Sequence, residues 1–146
     1  MLHHRRRVRQ SGLGPLLGRY RGDMYDGDVQ DRQRGAHPWA LCTGNLAELY
    51  YTLANGIDAG GAVPFDSLSQ NFFSQIGVAS GAPAAQVTAA LRDAGDRMLR
   101  AVIVHSDHLE LSEQFDGTSG YEKSVTNLTW SYAAFLSAVC QNRSSG

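Results

Sequence analysis

The 146-residue sequence predicts an all-α fold of about four helices joined by long loops. Four segments carry apolar residues at the three- and four-residue spacing that brings side chains to one face of a helix. Alternation of apolar and polar residues, the pattern of a half-buried strand, is nearly absent, and the β-branched run at 102–104 continues a helical pattern. The loops are longer than the tight connections of a simple helical bundle, which leaves the arrangement of the helices open.

The first two helices are predicted from their apolar faces and end signals. The first begins at Pro38, because the missing N–H of proline would be unpaired in the first helical position anyway, and it stops at Gly56. Its predicted apolar face consists of Trp39, Leu46, Leu49, Tyr50 and Leu53. The second helix is predicted over Asp66 to Ile76. Its apolar side consists of Leu68, Phe72, Phe73 and Ile76.

The third and fourth helices follow the same reasoning. The third and longest is predicted over Ala84 to Val104, although Gly95 within it lowers helix stability relative to alanine. Its apolar positions are Val87, Leu91, Ala94, Met98 and Val102. The fourth is predicted over Asn127 to Gln141, with Thr126 or Asn127 as its N-terminal cap. Its apolar stripe consists of Leu128, Tyr132, Phe135, Leu136 and Val139.

The charge distribution suggests a basic, disordered arm over residues 1–17, followed by one domain over residues 18–146. Six of the thirteen basic side chains are arginines within the first 21 residues, although the formal net charge is −1. Such an arm could contact phosphates, but it lacks the interleaved aromatic residues and the recognisable fold of a nucleic-acid-binding domain. No apolar run approaches the roughly 18 residues that span a bilayer. We therefore expect neither nucleic acid nor a membrane as a partner.

No metal or other cofactor is predicted. His105 and His108 have the spacing of a ligand pair, but a structural zinc site needs four ligands and no third one lies nearby in the sequence. The alternative is a histidine that interacts with the last carbonyls of its helix. Cys42 and Cys140 are too few for a disulfide scaffold, and their spacing leaves open whether they form one bridge.

Signals for secretion are weak. The N-terminus carries positive charge without a continuous apolar segment, so it does not indicate a secretory signal peptide. Asn127 and Asn142 each begin an N-x-S/T sequon, which favours a secretory history only slightly because such triplets often arise by chance.

The segment LSEQFDGTSG, residues 111–120, contains two carboxylates three residues apart. Asp116 precedes Gly117, which is typical of a residue that forms a turn. Glu113 has two interpretations, an ordinary solvated loop residue and a general base. Spacing alone does not decide between them.

Three longer segments carry a family resemblance. GRYRGDMYDG followed by HPWALCT, within residues 18–43, resembles a Gly-Arg-Tyr-Pro-Glu-Asp-x-Tyr loop and an Asn-Pro-Trp-Phe-Leu-Cys-Thr helix start. SLSQNFFSQIGVASG, residues 67–81, is similar to a Ser-Leu-x-Phe-Phe helix, and LSEQFDGTSGYEKSVTNLTWSYAAFL, residues 111–136, is similar to a Ser-Glu-Gln-Phe-Asp loop and a Leu-Thr-Trp-Ser-Tyr-Ala helix. In this order they resemble the C-terminal third of the glucoamylases, family 15 of the glycoside hydrolases, over residues 18–140.

The resemblance implies a fold and an activity. The family fold is an (α/α)6 barrel with its active site at one end, in the loops between helices, and four helices with long loops fit a part of it. The implied reaction releases glucose from the non-reducing ends of starch and related α-glucans with inversion. The implied partners are an α-glucan or a maltooligosaccharide, without a cofactor, and the implied location is extracellular.

The resemblance also implies site residues. Inverting hydrolysis needs a protonated acid for the leaving oxygen and a carboxylate base for water, about 6.5–9.5 Å apart. Glu113 falls on the general base of the family, and Gln114 would help to fix that base and the water. Arg19 and Asp23 fall on loop residues that bind the sugar next to the scissile bond. Trp39 matches an aromatic residue of the outer sugar site, with anchoring of the helix start as the alternative.

Several positions depart from the family pattern. Arg21 and Gly22 replace a Pro-Glu pair, His37 replaces an asparagine, and Gly117 stands where arginine or lysine is common. The Trp-Glu-Glu segment that carries the general acid of the family does not occur in these 146 residues. We therefore expect a polypeptide of these residues alone to be inactive.

Two other interpretations stay open. The chain could be a non-catalytic helical carbohydrate-binding or interaction fragment, which the arginine-rich arm and the altered Arg21-Gly22 favour. It could also be the product of a truncated gene, without a function of its own. A part of a barrel exposes apolar helix faces that would otherwise be covered, so we expect poor solubility or self-association.

Overall fold

The computed structural model describes residues 12–21, 23, 25 and 37–143. These residues form four α-helices and two short strands: α1 Ala40–Asp58, α2 Gln70–Gln75, α3 Ala84–His105, β1 Gln114–Phe115, β2 Glu122–Lys123 and α4 Thr129–Arg143. Strands β1 and β2 pair antiparallel across the turn at residues 116–120. The predicted helical class is confirmed, and the small hairpin is an addition that apolar periodicity did not indicate.

The core is built around α1, which packs against both α3 and α4. Three of the largest fully buried side chains of the main apolar cluster are Tyr51 from α1, Phe73 from α2 and Leu91 from α3. A second, smaller cluster consists of Ala40, Val102, Leu111 and Phe115. Removal of these side chains from water stabilises the fold, at roughly 25 cal/mol for each Å² of apolar surface. The second cluster also fixes the segment that contains Glu113 against the start of α1.

Helix α3 matches its prediction. Its bounds differ from the predicted ones by a single residue, at His105, and the five predicted apolar positions are all buried. Gly95 has a packing role, since a Cβ there would lie 2.7 Å from the ring of Tyr51 on α1. The hydroxyl of Tyr51 donates a hydrogen bond to Asp96 at 2.7 Å, which fixes the ring in this place.

The predicted apolar stripes of α1 and α4 are wrong in part. Leu49 and Leu136 are 46% and 59% exposed. The buried faces carry mostly small residues, together with two tyrosines and Ile57 in α1: Ala40, Thr43, Gly44, Ala47, Tyr50, Tyr51, Ala54 and Ile57 in α1, and Ser131, Ala134 and Ala138 in α4. The reason is a close approach of the two helices, since a Cβ on Gly44 would lie 3.1 Å from Ala134. Interhelical distance depends on side-chain size at the contact, so the smallest residues face each other.

Helix α1 begins two residues later than predicted and continues past Gly56 to Asp58. Pro38 lies outside it because Trp39 has extended backbone angles, φ −113° and ψ 133°. The N–H of Trp39 donates to the carbonyl of Leu17 at 2.7 Å, and Trp39 pairs with Gln114 as an antiparallel β-bridge.

Helices α2 and α4 also begin later in the chain than predicted. Residues 66–69 form a turn before α2, in which Asp66 accepts hydrogen bonds from the N–H groups of Leu68 and Ser69 at 2.8 and 2.7 Å. Helix α4 begins at Thr129 because Asn127 has a left-handed φ of 53°. Its side-chain oxygen accepts a hydrogen bond from the hydroxyl of Tyr132 at 2.5 Å instead of capping the helix.

The described part of the predicted arm, residues 12–17, packs against the helices. The N–H of Gly14 donates to the carbonyl of Arg97 at 2.8 Å, and the N–H of Leu17 donates to the hydroxyl of Thr43 at 3.0 Å. A Cβ on Gly14 would lie 2.8 Å from the backbone nitrogen of Met98, so the contact with α3 is tight. The predicted separation at residue 17 therefore does not hold for residues 12–17, and residues 1–11 lie outside the described part.

No disulfide joins Cys42 and Cys140, so the bridge that the spacing left open is not formed. Burial raises the pKa of the Cys42 thiol. Among the helices of the described residues, none combines the length and apolar character that crossing a membrane requires.

Candidate functional site

Three segments that are far apart in the sequence meet at the start of α1 through backbone hydrogen bonds. Trp39 binds Leu17 on one side, as described above, and pairs with Gln114 as an antiparallel bridge on the other. The N–H of Phe115 donates to the carbonyl of Pro38 at 2.8 Å. We call this arrangement the seam; it consists of Leu17, residues 38–40 and residues 113–115. The seam places the Glu113 segment beside the loop that contains Arg19.

Glu113 is a buried carboxylate, 5% exposed, held by the segment that follows β2. The hydroxyl of Ser124 donates a short hydrogen bond to its Oε2 atom. Its own N–H donates to the carbonyl of Val125 at 2.8 Å, and its carbonyl accepts from the N–H of Ala40 at 3.3 Å. A buried charge is costly unless it is hydrogen-bonded, so these contacts define the orientation of the carboxylate.

Gln114 is fully buried beside this carboxylate. Its Nε2 group donates to the carbonyl of Tyr25 at 3.2 Å, whereas its Oε1 atom has no hydrogen-bond partner within the described part of the chain. Strand pairing with Lys123 fixes its backbone, and the carboxylate of Glu122 accepts from the N–H of Ser112 at 3.0 Å. Gln114 therefore links the hairpin to the loop that contains Asp23.

Arg19 and Asp23 form an ion pair with two parallel hydrogen bonds, 2.7 and 2.8 Å long. Such paired charge-assisted bonds fix the plane of the guanidinium as well as its position. Asp23 is buried and also accepts from the N–H of Tyr25 at 3.1 Å. The hydrogen bond from Arg19 lowers the pKa of Asp23, and the same bond raises the pKa of Arg19. Each partner of the pair therefore favours the charged form of the other.

Aromatic rings surround the guanidinium. The Cζ atom of Arg19 lies 4.3 Å from the ring centroid of Trp39 and 4.9 Å from that of Tyr25, within the range of cation–π attraction. The ring of Trp39 also contacts Trp130, 6.2 Å away between centroids. Because Trp39 is 2% exposed, its burial supports the alternative that it anchors the start of α1. Contact of Trp39 with a sugar stays a prediction.

The five predicted site residues lie in one connected group. Arg19 binds Asp23 and covers the ring of Trp39. Trp39 pairs with Gln114 through the backbone, and Glu113 precedes Gln114 in the chain. The region therefore combines two buried carboxylates, Glu113 and Asp23, with one fixed guanidinium and several aromatic rings.

Asp116 forms the turn after β1, as its position before glycine predicts. Its Oδ1 atom accepts from the N–H groups of Thr118 and Ser119 at 2.9 and 2.7 Å. The hydrogen bond from the backbone of Ser119 lowers the pKa of Asp116. The two carboxylates of this segment thus have different surroundings, since Glu113 is buried and Asp116 lies in a turn.

Two histidines contact the same turn, and sequence reasoning did not place either of them there. The Nδ1 atom of His37 accepts from the N–H of Gly117 at 3.1 Å. The Nδ1 atom of His105, in the last turn of α3, lies 3.0 Å from the carbonyl oxygen of Gly120, and its interaction with the carbonyls of its own helix stays a prediction. His108 is exposed, and within the described residues no three metal-binding side chains form a group.

Sequence reasoning also missed Ser124, the residue that binds the Glu113 carboxylate. It lies in a stretch of small and polar residues where a serine carries no distinctive signal. Its backbone φ of 72° is unusual for a residue other than glycine, and residue type alone does not predict it. Trp130 lies within a segment that carries the family resemblance, but only the structure shows that its ring packs against Trp39.

Comparison with known proteins gives a consistent result. The family described as Glycosyl hydrolases family 15 matches residues 2–140, so the match begins within the predicted arm. Glucoamylase 1 of Rhizopus oryzae is 31% identical over 139 residues, and glucoamylase-1 of Schizophyllum commune is 33% identical over 133 residues. These alignments cover 88% and 84% of this chain.

Solved structures agree. The structure of the Hormoconis resinae glucoamylase matches with a TM-score of 0.73 at 29% identity, over 90% of this chain and 23% of that one. The Saccharomycopsis fibuligera glucoamylase matches with a TM-score of 0.75 at 26% identity, over 92% and 31%. The chain spans about a fifth of the length of the Rhizopus and Schizophyllum relatives, 22% in both cases. Its helices correspond to part of an (α/α)6 barrel, and the chain belongs to the glycosyl hydrolases family 15.

Proposed function

We propose that this chain supplies the base side of an inverting glucan 1,4-α-glucosidase site, which removes terminal α-1,4-linked glucose from starch-type polysaccharides. The observation that carries the proposal is the buried Glu113 carboxylate, oriented by Ser124 in the same connected group as the Arg19–Asp23 pair. Family membership supports the reaction class. An α-glucan or maltooligosaccharide as substrate and an extracellular location are proposed on the same ground.

In this proposal Glu113 takes a proton from the attacking water. The hydroxyl of Ser124 donates to the Oε2 atom of Glu113, which leaves the Oε1 atom to act as the base. Inversion needs a second, protonated carboxylic acid on the opposite side of the glycosidic bond, about 6.5–9.5 Å from the base. That group would come from outside the described residues. Gln114, fixed through its contact with Tyr25, would orient the water or the base.

Arg19 would bind the sugar next to the scissile bond. A guanidinium has five N–H groups. Two of those in Arg19 bond to Asp23, so three are left for sugar hydroxyls. The side chain is 35% exposed, which leaves it accessible to a ligand. Asp23 would act indirectly, by holding the guanidinium plane.

The first experiment tests the polypeptide of residues 1–146 alone. We expect no detectable release of glucose from maltose or soluble starch, because general acid catalysis is worth about a hundredfold to ten-thousandfold and most of the sugar pocket of the relatives would be missing as well. Clear turnover by the purified polypeptide would contradict this expectation and would require the acid to lie within these residues.

The second experiment tests Glu113 as the base. In glucoamylase 1 of Rhizopus oryzae, the matching segment is replaced by this chain, and the anomer first released is followed by ¹H NMR. We expect β-glucose from an α-linked substrate, and a loss of about a hundredfold to ten-thousandfold in rate for Glu113→Gln. Glu48→Gln is the matched control, since Glu48 lies on α1 and binds Ser137. A folded chimera that keeps its rate after Glu113→Gln would exclude Glu113 as the base.

A second candidate function is carbohydrate binding without catalysis. The exposed rings of Tyr20 and Tyr25, both within 5.5 Å of the Arg19 guanidinium, favour it because aromatic faces can stack on sugars. Calorimetric titration of the polypeptide with maltotriose tests this candidate. We expect binding that Arg19→Ala abolishes, and an absence of heat would count against a binding function.

A further inference from the structure

His37 lies between the segment before α1 and the turn at residues 116–120. Its imidazole is 5% exposed. The N–H of Gly117 donates to Nδ1 at 3.1 Å, so this ring nitrogen carries no proton. An accepting Nδ1 atom places the ring proton on Nε2, which is buried without a hydrogen-bond partner among the described residues.

We propose that His37 is a positioning residue for the loop that contains Glu113. Its unprotonated Nδ1 atom holds Gly117, and Gly117 belongs to the turn that directly follows β1. The inference rests on the proposed function only in taking Glu113 as the base. The contact between His37 and Gly117 can be tested without any activity.

The connection from His37 to Glu113 is short. Within the turn, the N–H of Asp116 donates to Tyr121 and the N–H of Gly120 donates back to Asp116, at 2.7 and 2.8 Å. These bonds close the turn on itself, whereas the bond from Gly117 joins it to the segment that leads into α1. Strand β1 begins one residue after Glu113, so a shift of the turn displaces the strand next to the carboxylate.

Protonation distinguishes His37 from His105, the other histidine on the turn. The His105 contact is with a carbonyl oxygen, so its Nδ1 atom donates, and a protonated ring can still donate. A protonated His37 loses its acceptor and cannot bind the N–H of Gly117. The Oδ2 atom of Asp116, 3.8 Å from Nδ1, is the charged group that faces His37 within the described residues, and it would attract the protonated ring. Acid should therefore break the contact between His37 and the N–H of Gly117 and leave the His105 contact in place.

The test uses the ¹⁵N-labelled 146-residue chain. Long-range ¹H–¹⁵N spectra should show His37 as the Nε2–H form, and the amide of Gly117 should be protected from hydrogen exchange. On acidification, the Gly117 amide signal should move together with the His37 ring signals, while the Gly120 amide does not. An Nδ1–H form of His37, or a Gly117 signal independent of the His37 ring, would overturn the inference.

Variants separate the acceptor from the packing. His37→Asn places an oxygen near the Nδ1 position and should keep Gly117 protected, whereas His37→Leu should speed its exchange about fivefold to tenfold, the loss of one net hydrogen bond. Unchanged exchange of the Leu91 amide in α3 reports that both variants are folded. Equal behaviour of the two variants would overturn the inference. If the turn responds as expected but the chimera lacks activity, the proposed function fails and the positioning role does not.

Discussion

Two residues between β2 and α4 have left-handed backbone angles, Ser124 with φ 72° and Asn127 with φ 53°. Such conformations cost about 1–3 kcal/mol in a residue other than glycine and persist where surrounding contacts enforce them. For Ser124 the contact is the hydrogen bond to Glu113, and for Asn127 it is the bond from Tyr132. Backbone strain in this segment is thus linked to the orientation of the buried carboxylate.

Substitutions at Ser124 should separate the hydroxyl from the backbone. Ser124→Ala keeps the strained φ and loses the bond to Glu113, so we expect a loss of about 1.5–3 kcal/mol in the free energy of unfolding. Ser124→Gly loses the same bond but removes the strain, so its loss should be smaller by about 1 kcal/mol. Urea denaturation of the three proteins measures both differences. Equal stability of the alanine and glycine variants would contradict the role of strain.

Asp116 should make the free energy of unfolding depend on pH in the acidic range. Folding lowers its pKa below the ordinary 3.8, so the ionised form stabilises the folded protein above that pH, and the contribution is lost as the pH falls below it. In Asp116→Asn the carboxylate is absent at every pH. We expect the difference in urea midpoint between wild type and variant to be largest at neutral pH and to shrink below pH 3.8. A difference that grows on acidification would contradict the assignment.

Sequence reasoning at the residue scale named five candidate site residues that the structure brings into one group, but not the atoms that hold them. Glu113 and Asp116 could be told apart because the family resemblance and the turn rule assign them different roles. Ser124 and His37 could not be found, because their contacts join residues that are distant along the chain and depend on backbone angles that residue type does not specify.

The three long helices differ in how well apolar periodicity describes them. Helix α3 buries the residues that its pattern predicts, because large apolar side chains form its contact face. Helices α1 and α4 approach closely at Gly44 and Ala134, and the buried residues of α4 are alanines and a serine, residues to which an apolar pattern gives little weight. The predicted leucines therefore lie partly outside the contact. The start of α1 was displaced because Trp39 has extended backbone angles and pairs with Gln114 as a β-bridge.

Glycines in helices give a matched test of this packing. Gly95→Ala places a Cβ 2.7 Å from the Tyr51 ring, whose hydroxyl is fixed by Asp96, so we expect a loss of about 1–3 kcal/mol in the free energy of unfolding. In Gly56→Ala the new Cβ meets nothing within 4 Å, so the variant should gain about 0.5–1 kcal/mol from helix propensity. Thermal melts of both variants measure the difference. If both variants were more stable than the wild type, the Tyr51 ring would have to move aside without cost, which would contradict the packing role of Gly95.

At the scale of the whole molecule, apolar side chains remain on the surface of the helices. Trp130 and Leu136 on α4 and Val104 on α3 are each about half exposed. The alignments cover 22% of the Rhizopus oryzae relative and 23% of the Hormoconis resinae structure, so most of each (α/α)6 barrel lies outside the matched part. Contiguous exposed apolar surface in a soluble protein commonly marks a contact with another element or another molecule.

We expect the isolated 146-residue polypeptide to self-associate. Sedimentation velocity should show a mass that rises with concentration, and Leu136→Lys should shift the distribution toward monomer because a charge then lies on the apolar surface of α4. Asn45→Lys, at an exposed polar position of α1, is the control and should leave the distribution unchanged. A monodisperse monomer with one cooperative melt at all concentrations would contradict this prediction.

The seam described above has a consequence for the order in which the protein assembles. Its hydrogen bonds join segments far apart in the chain, and closing long loops costs entropy that local helical contacts do not. The helices should therefore form first and the seam last, and on warming the seam should open first. Hydrogen exchange at the amides of Trp39 and Phe115 should accordingly be faster than at amides in the middle of α3. The region around Glu113 would then lose its geometry on warming while circular dichroism still reports the full helix content.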